Sequence, residues 1–168
     1  MKGRVHQLNI KPQTGKERGL PKSPVTSIVV NEKGVVGDFN RYRTERKAGD
    51  PEMAVLLYPV EMIRKLNDEG WPVKAGDLGE NITTEGLGYD EFLIGERFRV
   101  GNVTLEVTKA CDPCRSLRLL PYVGPERQKE FMQKLRGRRG WYARVVKGGE
   151  VHVGDVVSKA EAGKGAGS

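Results

Sequence analysis

The sequence predicts a mainly β fold, a barrel or sandwich with a few short helices, and three observations predict it. Short segments of alternating apolar and polar residues dominate the chain, glycine punctuates them at close intervals, and only two stretches carry helical periodicity. Glycine followed by an acid recurs at 37-38, 76-77, 79-80, 95-96 and 154-155. Glycine supplies positive φ and an acid at the next position caps a turn through nearby backbone, so these pairs read as structural corners.

In chain order, VTSIVV, NEKG and VVGD read as strand, turn and strand. PVEMIRKLNDEG, residues 59–70, places Val60, Ile63 and Leu66 on one helical face and stops at Gly70. FLIGERFRV, Gly101-Asn102 and VTLEVTKA read as strand, tight turn and strand, with Val103, Leu105 and Val107 on one face. GPERQKEFMQKLRG, residues 124–137, is a second helix, with Pro125 in its first turn and Phe131 and Leu135 four apart. WYARVV, KGGE and VHVGDVV read as a closing hairpin. The chain's 168 residues suit one domain, expected over 1–158. The tail KAEAGKGAGS, residues 159–168, is small and polar with nothing to bury, and is expected to be disordered.

The longest nearly apolar run, AVLLYPV, falls far short of the roughly 20 residues that span a bilayer. MKGRVHQLNI lacks the apolar stretch of a signal peptide. A cytoplasmic protein without membrane contact is therefore expected. The net charge of +7 is unevenly spread: between Lys109 and Lys147 eleven basic residues face three acids, a balance of +8, against −1 for the rest. A field of one sign around a cleft concentrates anions and favours a neighbouring thiolate. Arg136, Arg138 and Arg139 in LRGRRG read equally well as a solvated basic loop. The charge also permits binding to a nucleic-acid backbone, but aromatic residues are only 7% of the chain and RNA-binding signatures are absent, so nucleic acid is not the expected partner.

The excess charge surrounds CDPCRSL, residues 111–117, which holds both cysteines of the chain. A zinc site would need His6 and His152, which stand 146 residues apart and lack the short ligand spacing such sites use. A thioredoxin-like dithiol wants its first cysteine exposed at a helix start in a βαβ setting, whereas this motif follows a hairpin and precedes RSLRLLPYVG. The third reading is a single nucleophilic or metal-binding sulfur near Lys109, Arg115 and Arg118, with Pro113 fixing the backbone before it.

The blocks VVGDFNRYR, AVLLYP, AGDLGENITTEGL, IGERFRVGNVTLEVT, CDPCRSL and GWYARVVKGGEVHVGDVV follow one another as in MOSC domains, and from about residue 3 to 158 the chain resembles that family. The resemblance implies a β-barrel similar to the C-terminal part of molybdenum cofactor sulfurases. It implies binding of the molybdenum cofactor (molybdopterin), or carriage of sulfur for metal–sulfur centres, through the cysteine of P-C-x-x-L. Here that cysteine is Cys114, as molybdenum ligand or sulfur nucleophile, rather than Cys111. Some cofactor-binding relatives reduce N-hydroxylated compounds, and the pyridoxal-phosphate desulfurase domain of the sulfurases has no counterpart in these residues. The resemblance further points to Glu80 and Asn81, Asp38, Arg41 and Arg43 as cofactor contacts, beside Lys109 and Arg115. Its implied partners are a sulfur donor or acceptor protein, or an electron-transfer partner. Where relatives often carry His after Gly-Asp and a His-Gly-Gly block, this chain has Asn40 and AGDPE, so no His-dependent proton transfer or phosphate site is carried over.

Overall fold

The computed structural model describes residues 2–12, 20–39, 43, 44 and 47–161. Its main sheet contains β1 (Lys2–Ile10), β2 (Ser23–Val25), β5 (Val55–Pro59), β6 (Ile82–Glu85), β7 (Arg97–Val100), β8 (Val103–Ala110), β9 (Trp141–Lys147) and β11 (Val156–Lys159). The order is β11-β7-β8-β9-β5-β6-β1-β2, and β1 also pairs with β11, which closes seven strands into a barrel. The first strand serves both purposes by dividing one edge: Lys2–Arg4 pair with β11, and Leu8–Ile10 pair with β2. A smaller sheet runs β10 (Gly149–His152), β3 (Ser27–Asn31), β4 (Gly34–Val35).

Strand alternation fills the barrel with one face of each strand, including Val55, Leu57, Ile82, Val100, Leu105 and Val107. β5 is buried along its whole length: Val55 and Leu57 enter the barrel, while Tyr58 packs outward. The outer layer that covers it is helical. Helix α1 (Val60–Asp68) presents Ile63 and Leu66, and helix α2 (Gly124–Lys134) presents Phe131, to a second core built around Trp71, Leu117 and Leu135. Each such fully buried apolar side chain contributes about 1.5–3 kcal/mol. Among the described strands β5 and β6 alone run parallel, and α1 lies within the crossover that a parallel pair requires. Among the described residues no helix is long and apolar enough to cross a membrane.

Of the seven Gly-acid pairs in the chain, the glycines of the five read as corners, Gly37, Gly76, Gly79, Gly95 and Gly154, have φ between 81° and 92°, as corners require, and Gly49 has φ 73°, whereas Gly149 in β10 does not take this conformation. Two sequence expectations need correction. The closing segments do not form a hairpin: β9 pairs with β8 and β5, whereas β10 crosses to β3 through Val151↔Ile28. Close contact at the glycines between them permits this, since a Cβ on Gly148 would stand 2.5 Å from the Val30 carbonyl oxygen. The strand in FLIGERFRV begins only at Arg97, after a turn that leaves Leu93 and Ile94 exposed. Lys159 ends the last strand, and residues 162–168 lie outside the described residues.

Candidate functional site

The two cysteines open onto a cavity of about 530 Å³ between the barrel wall and the helical layer. Cys111 directly follows β8, and its N–H donates to the Gly140 carbonyl at 2.9 Å, so the β8–β9 ladder sets it beside the residues preceding β9. Gly140 has φ +119°, and a Cβ there would meet the Leu57 carbonyl oxygen at 3.1 Å. That close approach draws the preceding Arg139 against the barrel. Cys114 stands just before a 3-10 turn, Arg115–Leu119, which Leu117 anchors in the helical core; its carbonyl accepts from the Leu117 N–H at 3.2 Å.

The two sulfurs differ in environment. Cys111 is buried against Met53, Leu56 and Tyr142, and burial pushes its thiol pKa up despite the nearby Arg139 charge and a hydrogen bond with Tyr142. Cys114 is half-buried, and both cysteines are free thiols. The pattern is the reverse of a dithiol whose first cysteine is exposed. His6 lies near Glu85 and His152 between Glu150 and Asp155, so neither histidine lines the cavity.

Among the described residues five cations line this space, Lys22, Lys47, Lys109, Arg115 and Arg139, against one acid, Asp112. Lys22 is buried and pairs with Asp38 at 2.6 Å, while Lys109 reaches Asp50 at 3.2 Å. A hydrogen bond from the Glu52 N–H, followed by Lys109, holds the Asp50 carboxyl below its ordinary range. Arg139 is 4% exposed, and its Nε and Nη1 have no hydrogen-bond partner among the described residues. Burial opposes its charge, and only at high pH, where the neighbouring Cys111 and Cys114 thiols and the Tyr142 and Tyr58 phenols would be negative, is this outweighed, so its pKa stays above the ordinary arginine value.

Of the residues singled out in the sequence, Cys114, Lys109 and Arg115 line the cavity together. Asp38 and Asn81 form a polar network behind it. Asp38 accepts from Lys22, from the Lys11 N–H at 2.8 Å and from Asn81 Nδ2 at 2.8 Å, and Asn81 Oδ1 accepts from the Leu56 N–H at 3.1 Å. The Asn81 amide thus ties β5 to the loop that begins β6. Glu80 is fully buried, accepting from Thr83 Oγ1 at 2.9 Å while its Oε1 has no clear partner among the described residues, and burial raises its carboxyl pKa against the nearby backbone N–H groups of Gly76 and Glu80. Arg43 donates to the Asp50 and Gly49 carbonyls, with burial lowering its pKa, and does not line the cavity. Arg41 and Asn40 lie outside the described residues.

Lys22 and Arg139 were missed. Arg139 was hidden inside a basic run, although the glycine after it and the strand that follows were a signal that the backbone there meets the barrel. Lys22 offered no comparable signal.

Residues 44–158 match the MOSC domain family. The chain belongs to that family. Relatives of this MOSC domain include the uncharacterized protein YflK of Bacillus subtilis, 31% identical over 95% of this chain and 75% of that protein. YiiM of Escherichia coli is 29% identical over 82% of this chain and 61% of its own length. A Gibberella moniliformis protein named a reductase is 33% identical over 76% of this chain, which spans only 23% of that protein. Among solved structures, YiiM of Geobacillus stearothermophilus superposes with a TM-score of 0.73 at 28% identity, covering 98% of this chain and 78% of that one. YuaD of Bacillus subtilis shares the fold at a TM-score of 0.76 with 17% identity, over 94% of both chains. The family match begins after β1–β4, yet β1 closes the barrel, Lys22 just before β2 lines the cavity, and Asp38 after β4 pairs with it.

Proposed function

We propose that this MOSC domain holds the molybdenum cofactor in the cysteine cavity, with Cys114 as its protein sulfur ligand. The observation that carries this reading is the position of Cys114: a half-buried sulfur in a cavity lined, among the described residues, by five cations and one acid. The donor set fits such a group. A volume of about 530 Å³ lies within the range of small-molecule sites, roughly 300–1,000 Å³. A thiolate is a soft ligand suited to a soft transition metal, and the buried Arg139, whose Nε and Nη1 have no partner among the described residues, calls for an anion such as a pterin phosphate. Cys114 would ligate the metal, Arg139 and Lys22 would hold the anionic end, and the apolar wall of Met53, Leu56 and Leu78 would keep water from the rings. When bound, the cofactor supplies two-electron redox chemistry at molybdenum.

The test is the metal and pterin content of protein purified anaerobically from cells that make the cofactor. Wild type is expected to carry both in near-stoichiometric amount and Cys114→Ser to lose them; equal content in the two proteins would overturn the assignment.

A second step, reduction of N-hydroxylated compounds on the loaded domain, is what the family resemblance adds, and likeness to a fungal protein named a reductase, of which this chain spans 23%, is consistent with reductive chemistry. Electrons would then come from a separate transfer partner. Turnover with a chemical reductant tests it, and loaded protein without turnover would remove it. Partial exposure of Cys114 also suits carriage of a transferable sulfur between donor and acceptor proteins in the cytoplasm.

A further inference from the structure

Arg139 poses a problem of charge balance. It is buried, forms no ion pair among the described residues, and leaves Nε and Nη1 without hydrogen-bond partners in a wall of the cysteine cavity. A buried guanidinium is permanently charged, so leaving it uncompensated is costly. Its neighbour Cys111 does not supply the missing negative charge, because burial favours that thiol in its neutral form. Glu80, the other buried acid nearby, has its carboxyl likewise biased towards the neutral form by burial. The missing counter-charge therefore belongs to something that enters the cavity.

The group that shares this cavity with Arg139 and is open to reaction is the Cys114 sulfur. A thiolate is a soft nucleophile, and its best-matched electrophile is another sulfur joined to a good leaving group. A guanidinium is matched to an oxyanion. One chemical class presents both features on adjacent atoms: a sulfane sulfur bonded to a sulfonate, as in thiosulfate.

We propose that Arg139 anchors an oxyanion subsite beside Cys114, and that the pair accepts sulfane sulfur from thiosulfate-class donors. Cys114 gives its proton to solvent at the cavity mouth, and its thiolate attacks the outer sulfur. A new bond forms between the two sulfurs, and the S–S bond of thiosulfate breaks. The bonding pair departs on sulfite, whose negative charge Arg139 faces. Thiolate plus dianion become persulfide anion plus dianion, so charge and electrons balance. A thiophilic acceptor such as cyanide then takes the terminal sulfur as thiocyanate and restores the thiolate. This inference rests on Cys114 as the working sulfur and names the donor for its sulfur-carrying role, but it needs no cofactor.

The experiment uses full-length, reduced protein from cells that cannot make the molybdenum cofactor, supplied with thiosulfate and then cyanide. Intact mass is expected to rise by one sulfur atom, mapped by peptide analysis to Cys114, and thiocyanate is expected to form with turnover. Arg139→Gln is expected to raise KM for thiosulfate about tenfold or more, the loss of a charge-assisted contact. Its far-UV circular dichroism spectrum should match wild type, which separates loss of the oxyanion site from misfolding. Arg139→Lys should recover part of the loss, and inorganic phosphate should compete with thiosulfate in wild type.

Sulfur added to Cys111, no sulfur added at all, phosphate binding without sulfur transfer, or an unchanged KM in Arg139→Gln would each overturn the proposal. Its failure is separable from that of the cofactor reading. Molybdenum bound in loaded protein with no sulfur transfer in empty protein removes this inference alone, whereas sulfur transfer without any bound molybdenum sustains it and removes the other.

Discussion

Two polar regions meet at β5 and β6 and treat their hydrogen-bonding groups in opposite ways. In the network of Asn9, Asp38, Asn81 and Lys22, contacts close from one residue to the next: Asn9 Nδ2 donates to Thr83 Oγ1 at 3.1 Å, Asn81 to Asp38, and Lys22 to Asp38. On the cysteine side, Arg139 Nε and Nη1 are buried without partners among the described residues. Satisfied buried polar groups fix a scaffold, and unsatisfied ones mark a place where the protein keeps interaction energy in reserve. The contrast assigns roles that residue type alone does not.

The largest test breaks the satisfied side. Asp38→Ala leaves the Lys22 ammonium buried without its partner and removes the acceptor used by Asn81 and Lys11, so a loss of about 3–5 kcal/mol in urea unfolding is expected. The matching change across the wall has the opposite sign. Arg139→Met removes a charge that the fold does not compensate, and is expected to raise stability by roughly 1 kcal/mol or more in the same assay. A large destabilisation would mean that the fold itself satisfies this arginine.

A pH series sharpens the comparison at Glu80. Burial raises its folded-state pKa, so its contribution to stability is fully present below the unfolded value of about 4.3 and is lost as pH rises through the raised folded value. Glu80→Gln removes that loss. The stability of the variant relative to wild type should therefore grow as pH rises from about 4 towards neutrality, and parallel pH curves would contradict the assignment.

The smallest effects come from adjacent threonines in β6. Thr83 Oγ1 donates to Glu80 and accepts from Asn9, whereas the buried Thr84 Oγ1 has no partner among the described residues. Thr83→Val should cost about 1 kcal/mol. Thr84→Val should be neutral or stabilising by a few tenths of a kcal/mol. Equal effects in thermal melts would erase the distinction between the two sides.

Much of the fold was legible because it rests on local chemistry. The Gly-acid corners, the helical face of Val60, Ile63 and Leu66, and the turn between Val100 and Val103 each depend on neighbours in sequence. The pairing of β10 with β3 was not legible, since the hydrogen bonds that decide it join residues far apart in the chain. The site divided in the same way. Lys109, Cys114 and Arg115 stand within one short stretch, and they reach one cavity. Asp38 and Asn81 look like ligand contacts as residue types, but their partners are backbone and Lys22, a fact that only the packed network contains. Arg139 looked like its exposed neighbour Arg136 until the ladder from Cys111 to Gly140 placed it inside.

The pairing of β1 with β11 gives this molecule a timetable. Lys2 lies opposite Ser158, so the barrel joins strands from nearly opposite ends of the sequence. During synthesis the Lys2–Arg4 end of the first strand stays without its partner until residues 156–158 have been made, so this closure comes late. Refolding should be correspondingly slow for a domain of this size.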